Sequence, residues 1–209
     1  MHPSEEILLA VASGQADIPH RVLVEGHLDG CAACRTALGE LSAPGGAFLF
    51  SLPEERPPDH LWERLRARIA APPAAPECPL LAEIPLPAGA RRELPVLGRI
   101  RWRPLPARGA RFAALLSDPF SGSTLLVGHM PARRFFPEHI HQGPEDVLVL
   151  AGGYADAFGT FEAGTFTSYA PGTRHRPLTE PDEECWILTR LEKPNLFTGW
   201  RGWLQRLVL

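Results

Sequence analysis

The sequence predicts an α+β protein built from two domains, a small all-α domain at the N-terminus and an all-β barrel or sandwich at the C-terminus. Apolar residues recur at helical spacing through residues 1–70, and short apolar runs bounded by Gly, Pro or Asp follow from residue 93 onward. Between them, residues 71–92 are rich in proline and alanine, which is typical of a semi-rigid linker. The predicted domains are therefore 1–70 and 93–209, joined by the linker 71–92.

Three helices are expected first, each with a recognisable start or stop. They run from Ser4 to Gly14, from Pro19 to Gly30 and from Cys31 to Leu41, and Pro44-Gly45-Gly46 should break the chain after the third.

A fourth helix lies between two proline clusters, with Asp59 as its expected cap. Its apolar stripe is formed by Leu61, Trp62, Leu65 and Ile69. About 11 residues are marginal as an isolated helix in water, so this stripe needs a surface to lie against. It packs either on its own domain or in a groove of a partner protein. Either arrangement would bury Trp62.

The charge distribution bears on the class of partner. The chain carries a net charge of -3, and residues 1–70 hold six basic and ten acidic residues. This acidic half suits a basic protein surface, whereas direct nucleic-acid binding would need clustered positive charge. No run of about 18 apolar residues and no signal-peptide pattern is present, so we expect a cytoplasmic protein without a membrane partner. The tail, with Trp200 and Trp203, is expected to cover an apolar face of the barrel rather than a membrane surface.

A first candidate metal site is formed by His27-x3-Cys31-x2-Cys34. This spacing places three donors on one side of a helical turn, and a nearby helix N-terminus should lower the pKa of both thiols. Sulfur with imidazole suits zinc, and the fourth ligand could be His2, His20 or Cys78. A redox pair or two inert cysteines are the alternatives, but the surrounding sequence lacks the βαβ pattern of a thioredoxin.

This pattern in a small acidic helical domain resembles the zinc anti-sigma domain, which has an upstream histidine before H-x3-C-x2-C. The resemblance implies that His2, His27, Cys31 and Cys34 are the four zinc ligands. A DNA-binding zinc finger fits poorly, because its second histidine at short spacing is missing.

A second candidate metal site combines His139-x-His141-x3-Glu145-x6-Gly152 with Gly164-x7-Gly172-x2-His175. Two histidines two residues apart face the same side of a strand, here the barrel interior, and three imidazoles with one carboxylate form a transition-metal site. The two segments resemble the two motifs of the cupins, which implies a double-stranded β-helix, or jelly-roll, barrel. A divalent metal such as Zn, Mn, Fe or Ni is implied; a cupin with an empty site is the alternative.

The order of the two motifs resembles the ChrR-like anti-sigma factors over nearly the whole chain. The resemblance implies that the N-terminal domain sequesters an extracytoplasmic-function (ECF) sigma factor and so represses transcription, with Leu61, Trp62, Leu65 and Ile69 as our predicted contacts. It also implies that the cupin senses a small-molecule or oxidant ligand, for example singlet oxygen or an organic hydroperoxide. On this reading the chain is not an enzyme. The alternative is a cupin metalloenzyme, such as a dioxygenase, with an accessory zinc domain.

Overall fold

The structure is a computed structural model that describes residues 1–71, 82–94, 100–105 and 107–198. Five helices are described: α1 (Glu5–Ala12), α2 (Ile18–Leu28), α3 (Ala32–Phe50), α4 (Leu61–Ala70) and α5 (Ala88–Glu93). The first four form the helical half. Within the described residues, no helix is long and apolar enough to cross a membrane.

The sheet half contains twelve described strands. They are β1 (Arg103–Pro104), β2 (Arg111–Ser117), β3 (Thr124–Met130), β4 (His139–Ile140), β5 (Glu145–Ala151), β6 (Gly153–Asp156), β7 (Gly159–Glu162), β8 (Phe166–Tyr169), β9 (Arg174–His175), β10 (Leu178–Thr179), β11 (Cys185–Leu191) and β12 (Leu196–Phe197). A six-stranded sheet has the order β1-β2-β3-β11-β5-β8, and two three-stranded sheets have the orders β10-β6-β7 and β12-β4-β9. The strand pairs are antiparallel.

The starts of α1 and α2 follow from local side-chain capping. The Ser4 hydroxyl accepts a hydrogen bond from Ile7 N, and Asp17 accepts one from His20 N at the start of α2. The predicted break at Pro44 is wrong, because α3 continues to Phe50. Proline removes a single backbone donor, and a helix can absorb that loss as a local distortion instead of ending.

The linker prediction is wrong for its second part. Ile84, Leu86 and Ala90 are buried, and α5 packs closely against α2. A Cβ atom added at Gly89 would lie 2.2 Å from Glu25 O, which shows how close the two helices are. A proline-rich composition indicates a stiff segment, but it does not show whether that segment packs against an apolar surface elsewhere in the fold. Residues 72–81 and the predicted covering tail 199–209 lie outside the described residues.

The main apolar core joins the two halves. Val22, Leu23 and Val24 of α2 are fully buried and cluster with Leu148 of β5 and Leu188 of β11. These sheet residues lie on the outer face of the six-stranded sheet. A second cluster fills the interior of the sheet half. It contains Val147 and Val149, the two neighbours of Leu148 on β5, together with Tyr154, Phe161, Tyr169 and Cys185. Because successive side chains of a β-strand point to opposite faces, β5 contributes residues to both apolar cores.

A buried polar network also joins the halves at the start of α2. Arg190 of β11 donates to both carboxylate oxygens of Asp17, with N–O distances of 2.7–3.2 Å. His20 Nε2 lies 2.8 Å from Asp146 Oδ2 on β5. The Ser123 hydroxyl donates to the second carboxylate oxygen of Asp17 at 2.8 Å. Asp17 thus caps α2 and ties it to the sheet.

Candidate metal centres

The structure brings together the four donors expected for the first site. His2 lies just before α1, His27 in the last turn of α2, Cys31 at the start of α3 and Cys34 in its first turn. His2 Nδ1 lies 3.4 Å from His27 Nε2, 3.4 Å from Cys31 Sγ and 3.3 Å from Cys34 Sγ. The four donor atoms all lie within 4.8 Å of one another.

The three separations from His2 fit one tetrahedral ion. With bonds of about 2.0–2.1 Å to nitrogen and about 2.3 Å to sulfur, adjacent donors of a zinc tetrahedron lie about 3.3–3.8 Å apart. His20, an alternative fourth ligand, instead contacts Asp146. Cys78, the other alternative, lies outside the described residues. Two imidazoles and two thiols therefore suit a soft divalent cation.

The two thiols have different electrostatic surroundings. The backbone N–H of Cys34 lowers the pKa of Cys31, as predicted from the helix N-terminus. Burial and then the neighbouring Cys31 raise the pKa of Cys34 to about 11. The prediction of a lowered pKa is wrong for Cys34, because burial outweighs the helix effect there. A cation bound between the sulfurs would reverse this, since a coordinating thiol is deprotonated.

The second site contains three histidines in the barrel interior. His139 on β4 and His175 on β9 are opposite each other in the sheet register, and His141 follows β4. His175 Nε2 lies 2.9 Å from His139 Nε2 and 3.1 Å from His141 Nε2. Donors about 3.0 Å apart fit bonds of about 2.1 Å at right angles, an arrangement that leaves further coordination positions open.

Burial and hydrogen bonds prepare these imidazoles to act as ligands. Burial and the neighbouring His175 lower the pKa of His139 to about 3, and they lower that of His141 to about 4. Both rings are therefore neutral near pH 7, as a ligand must be. His139 Nδ1 donates to Pro137 O at 2.9 Å, and His175 Nδ1 donates to Asp156 Oδ2 at 2.6 Å. These bonds leave the Nε2 lone pairs facing one another.

Glu145 lies next to the three histidines, but its carboxylate is not one of the clustered donor atoms. Its Oε2 is 3.5 Å from His141 Nε2 and accepts a hydrogen bond from Asn195 Nδ2 at 2.5 Å. Burial raises its pKa to about 7, although the Asn195 amide opposes this rise. Three of the four predicted donors are thus brought together, and the carboxylate is held next to them by Asn195.

Two supporting residues were missed by the sequence analysis. Asp156 binds His175 Nδ1 and also accepts a hydrogen bond from the Tyr169 hydroxyl at 3.0 Å. Asn195 orients Glu145 from a loop 50 residues away. Neither lies in a recognisable motif, because their positions depend on hairpin register and not on local spacing.

A cavity of about 240 Å³ adjoins the second site. Its walls are mainly apolar and include Phe112, Leu126 and Ile187, while His139 and His175 lie at its polar end. This volume exceeds the engineered cavity of about 150 Å³ that admits benzene, so a small organic molecule could enter.

An exposed apolar surface lies on the helical half. None of the α4 residues is buried against any described part of the chain, and Trp62, Leu65 and Ile69 are exposed. Packing of α4 on its own domain, the first alternative, therefore does not occur among the described residues. These residues leave Trp62 exposed, and its burial by a partner stays a prediction. A second exposed apolar group, which the sequence patterns did not predict, lies at the end of α3: Phe48, Leu49, Phe50 and Leu52.

Comparison with known proteins gives consistent matches. The ChrR cupin-like domain model matches residues 92–194, which confirms a cupin-like β domain. The anti-sigma-E factor ChrR of Cereibacter sphaeroides is 32% identical over 210 residues, or 95% of this chain and 92% of that protein. The crystal structure of Rhodobacter sphaeroides SigE in complex with the anti-sigma ChrR matches with a TM-score of 0.65 and 26% identity, covering 91% of this chain and 97% of the matched chain. An RmlC-like cupin protein from Ralstonia eutropha has a TM-score of 0.44 and 18% identity, over 52% of this chain and 80% of its own.

Proposed function

The chain belongs to the family of the anti-sigma factor ChrR, and from this premise we propose that its helical half captures an ECF sigma factor and so represses transcription. It is an anti-sigma factor, a regulator and not an enzyme, as the relative 32% identical over 95% of the chain indicates. The solved complex that matches this chain contains SigE bound to ChrR, which supports a sigma factor as the partner. Sigma factors act on RNA polymerase in the cytoplasm, where we place the protein.

The observation that carries the docking proposal is the exposed stripe of α4. Trp62 is 63% exposed and Ile69 is 78% exposed, although both are large apolar side chains. An amphipathic helix whose apolar face is left uncovered by the described parts of its own chain is typical of helix-in-groove recognition. The residues at the end of α3, with Phe50 at 95%, are a second exposed apolar group on the helical half. Leu61 and Leu65 complete the contact set that we propose on α4.

We assign Zn²⁺ to the first site, held by His2, His27, Cys31 and Cys34. Bound zinc would supply a fixed junction between the N-terminal segment, α2 and α3, because binding free energy at a structural site becomes folding free energy. The thiols and imidazoles of this chain orient the three segments, and α4 follows them along the chain. Zinc is therefore expected to fix the shape of the helical half that meets the partner.

The docking proposal is tested by titration of the full chain with the ECF sigma factor that copurifies from the native cell. Trp62→Ala should weaken binding at least about 30-fold, since a central tryptophan commonly contributes about 2 kcal/mol or more. Phe120→Ala is the matched control, because Phe120 is 99% exposed on a turn of the sheet half. Unchanged affinity for a Trp62→Ala/Leu65→Ala double variant would show that α4 is not the contact.

We further propose that the second site senses an oxidative signal. His139, His141, Glu145 and His175 would hold a divalent ion, which we restrict to Zn, Mn, Fe or Ni. Such an ion supplies Lewis-acid attraction for an oxygen atom. The adjoining apolar cavity could take the rest of a small-molecule or oxidant ligand. The polar network at Asp146, the residue after Glu145, connects this site to α2.

Sensing is tested by separating sigma binding from sigma release. A His139→Ala/His175→Ala variant should bind the sigma factor normally but fail to release it on exposure to singlet oxygen or an organic hydroperoxide. His129→Ala is the control, because His129 lies outside the cluster and pairs with Glu184. If the double variant releases the sigma factor normally, the second site does not sense the signal.

A further inference from the structure

We infer that the sheet half contributes an outer partner to the first metal site, the backbone carbonyl of Gly164, so that metal affinity in the helical half depends on its docking to the sheet. This inference rests on the metal-binding part of the proposed function. His27 is 3% exposed, and its Nδ1 lies 2.8 Å from Gly164 O. A carbonyl can only accept, so His27 Nδ1 carries the proton and Nε2 presents its lone pair to the other donors.

The turn that carries Gly164 is rigidly placed. It connects β7 to β8, and Gly164 N donates to Val149 O on β5 at 2.8 Å. Thr165 N donates to Glu162 O at 2.9 Å, which closes the turn. Gly164 has a φ of +85°, a conformation that other residues adopt only with strain. The acceptor for His27 is thus fixed by the sheet and does not follow the helical half.

The same turn contacts a second part of the metal site. The backbone N–H of Phe166, the first residue of β8, donates a hydrogen bond to Met1 O at 3.4 Å. Met1 directly precedes His2, one of the four metal ligands. The Phe166 ring also lies edge-on to the His27 ring, with centroids 6.1 Å apart. Two of the four donors are therefore positioned by residues 164–166, which lie more than 130 positions away in sequence.

Strand β8 leads from this turn to the second metal site. Its last residue, Tyr169, packs against His175 with ring centroids 4.5 Å apart and donates to Asp156, the partner of His175 Nδ1. Four residues of strand span roughly 13 Å at about 3.3 Å per residue. The two candidate metal sites therefore share one short strand, with an imidazole partner at each end.

The contact between His27 and Gly164 couples metal binding to the docking of the helical half on the sheet. If docking raises the metal affinity of the helical half, then bound metal strengthens docking by the same factor. Loss of an outer partner of a ligating histidine typically lowers metal affinity about 10-fold to 100-fold. Displacement of the β7–β8 turn should therefore loosen the metal, and removal of the metal should loosen the helical half from the sheet.

The experiment measures Co²⁺ and Zn²⁺ binding to the full chain. Thiolate-to-cobalt charge transfer reports only on a site with cysteine ligands, and competition with Zn²⁺ then gives the zinc affinity. Gly164→Ala and Gly164→Val strain the turn to increasing degrees. Gly122→Ala and Gly122→Val are the controls, since Gly122 also has a left-handed φ of +72° on a turn with open space around it.

Zinc affinity should fall about 10-fold to 100-fold for the Gly164 variants and stay within about twofold for the Gly122 variants. Equal affinities in folded variants of both positions would overturn it. If the valine variant does not fold, the comparison of zinc affinity between Gly164→Ala and the wild type decides the test. In the zinc-loaded wild type, NMR should show a slowly exchanging proton on His27 Nδ1, and a proton on Nε2 instead would refute the inference. Absence of the charge-transfer band in the wild type would refute the metal site itself, a separate failure.

Discussion

Replacement of Arg190 by methionine should destabilise the fold strongly. The Arg190 and Asp17 side chains are only 5% and 7% exposed, and the guanidinium also lies 3.7 Å from Asp146 Oδ2. Methionine would keep much of the side-chain volume but leave the buried Asp17 carboxylate without its guanidinium, and it would also remove a positive charge near Asp146. Removal of one partner from a buried ion pair typically costs about 3–5 kcal/mol.

Equilibrium unfolding in urea measures this cost. With a slope of about 2–3 kcal/mol per molar, typical of the upper range in urea, a loss of 3 kcal/mol lowers the midpoint by about 1 M or more. Asp17→Ser is the partner variant, because serine keeps the cap of α2 while it removes the charge. The double variant should be less destabilised than the sum of the two single variants. Arg56→Met is the control, since Arg56 and Asp59 form a fully exposed pair.

Two results would refute this reasoning. The first is an Arg190→Met midpoint within about 0.3 M of the wild type, which would correspond to less than about 1 kcal/mol. The second is an additive double variant, because additivity would mean that Asp17 and Arg190 do not stabilise each other.

Three further outcomes are expected. Burial would raise the pKa of Asp17, but Arg190, His20 N and Ser123 together hold it well below its ordinary value. The contribution of Asp17 to stability is therefore complete above about pH 4 and lost at lower pH, and Asp17→Ser should show a weaker acid dependence in urea titrations. Gly89→Val should separate α5 from α2, because its Cβ would meet Glu25 O, and hydrogen exchange in residues 84–93 should rise. His139→Ala should reduce bound divalent metal from two ions per chain to one in elemental analysis, with the thiolate site still loaded.

Local spacing was enough to predict the convergence of His27, Cys31 and Cys34, because a helix end and the next helix start fix their geometry. The choice of His2 needed the family resemblance, since 25 residues separate it from His27 and spacing over that distance leaves His20 equally open. The structure places His20 on Asp146 instead. Motif spacing likewise predicted the three clustered histidines of the barrel.

Contacts that depend on tertiary packing were not predictable. Asp156 reaches His175 only because the hairpin of β6 and β7 brings it there. The burial of Ile84 depends on α2 and the sheet, neither of which its proline-rich neighbourhood reveals. Gly152 is the reverse case, a motif glycine whose role the structure explains: its φ is +61°, and a Cβ there would lie 2.0 Å from Glu184 O.

The interface between α2, α5 and the six-stranded sheet makes each half specific to the other. A Cβ atom at Gly26 would sit 2.8 Å from Leu148 Cδ2, so the helix is shaped to this sheet and would fit poorly on a foreign barrel. If the two halves were produced separately, Val22, Leu23 and Leu188 would be exposed to water, and each half would tend to self-associate. The two halves are therefore expected to be stable only when they fold together.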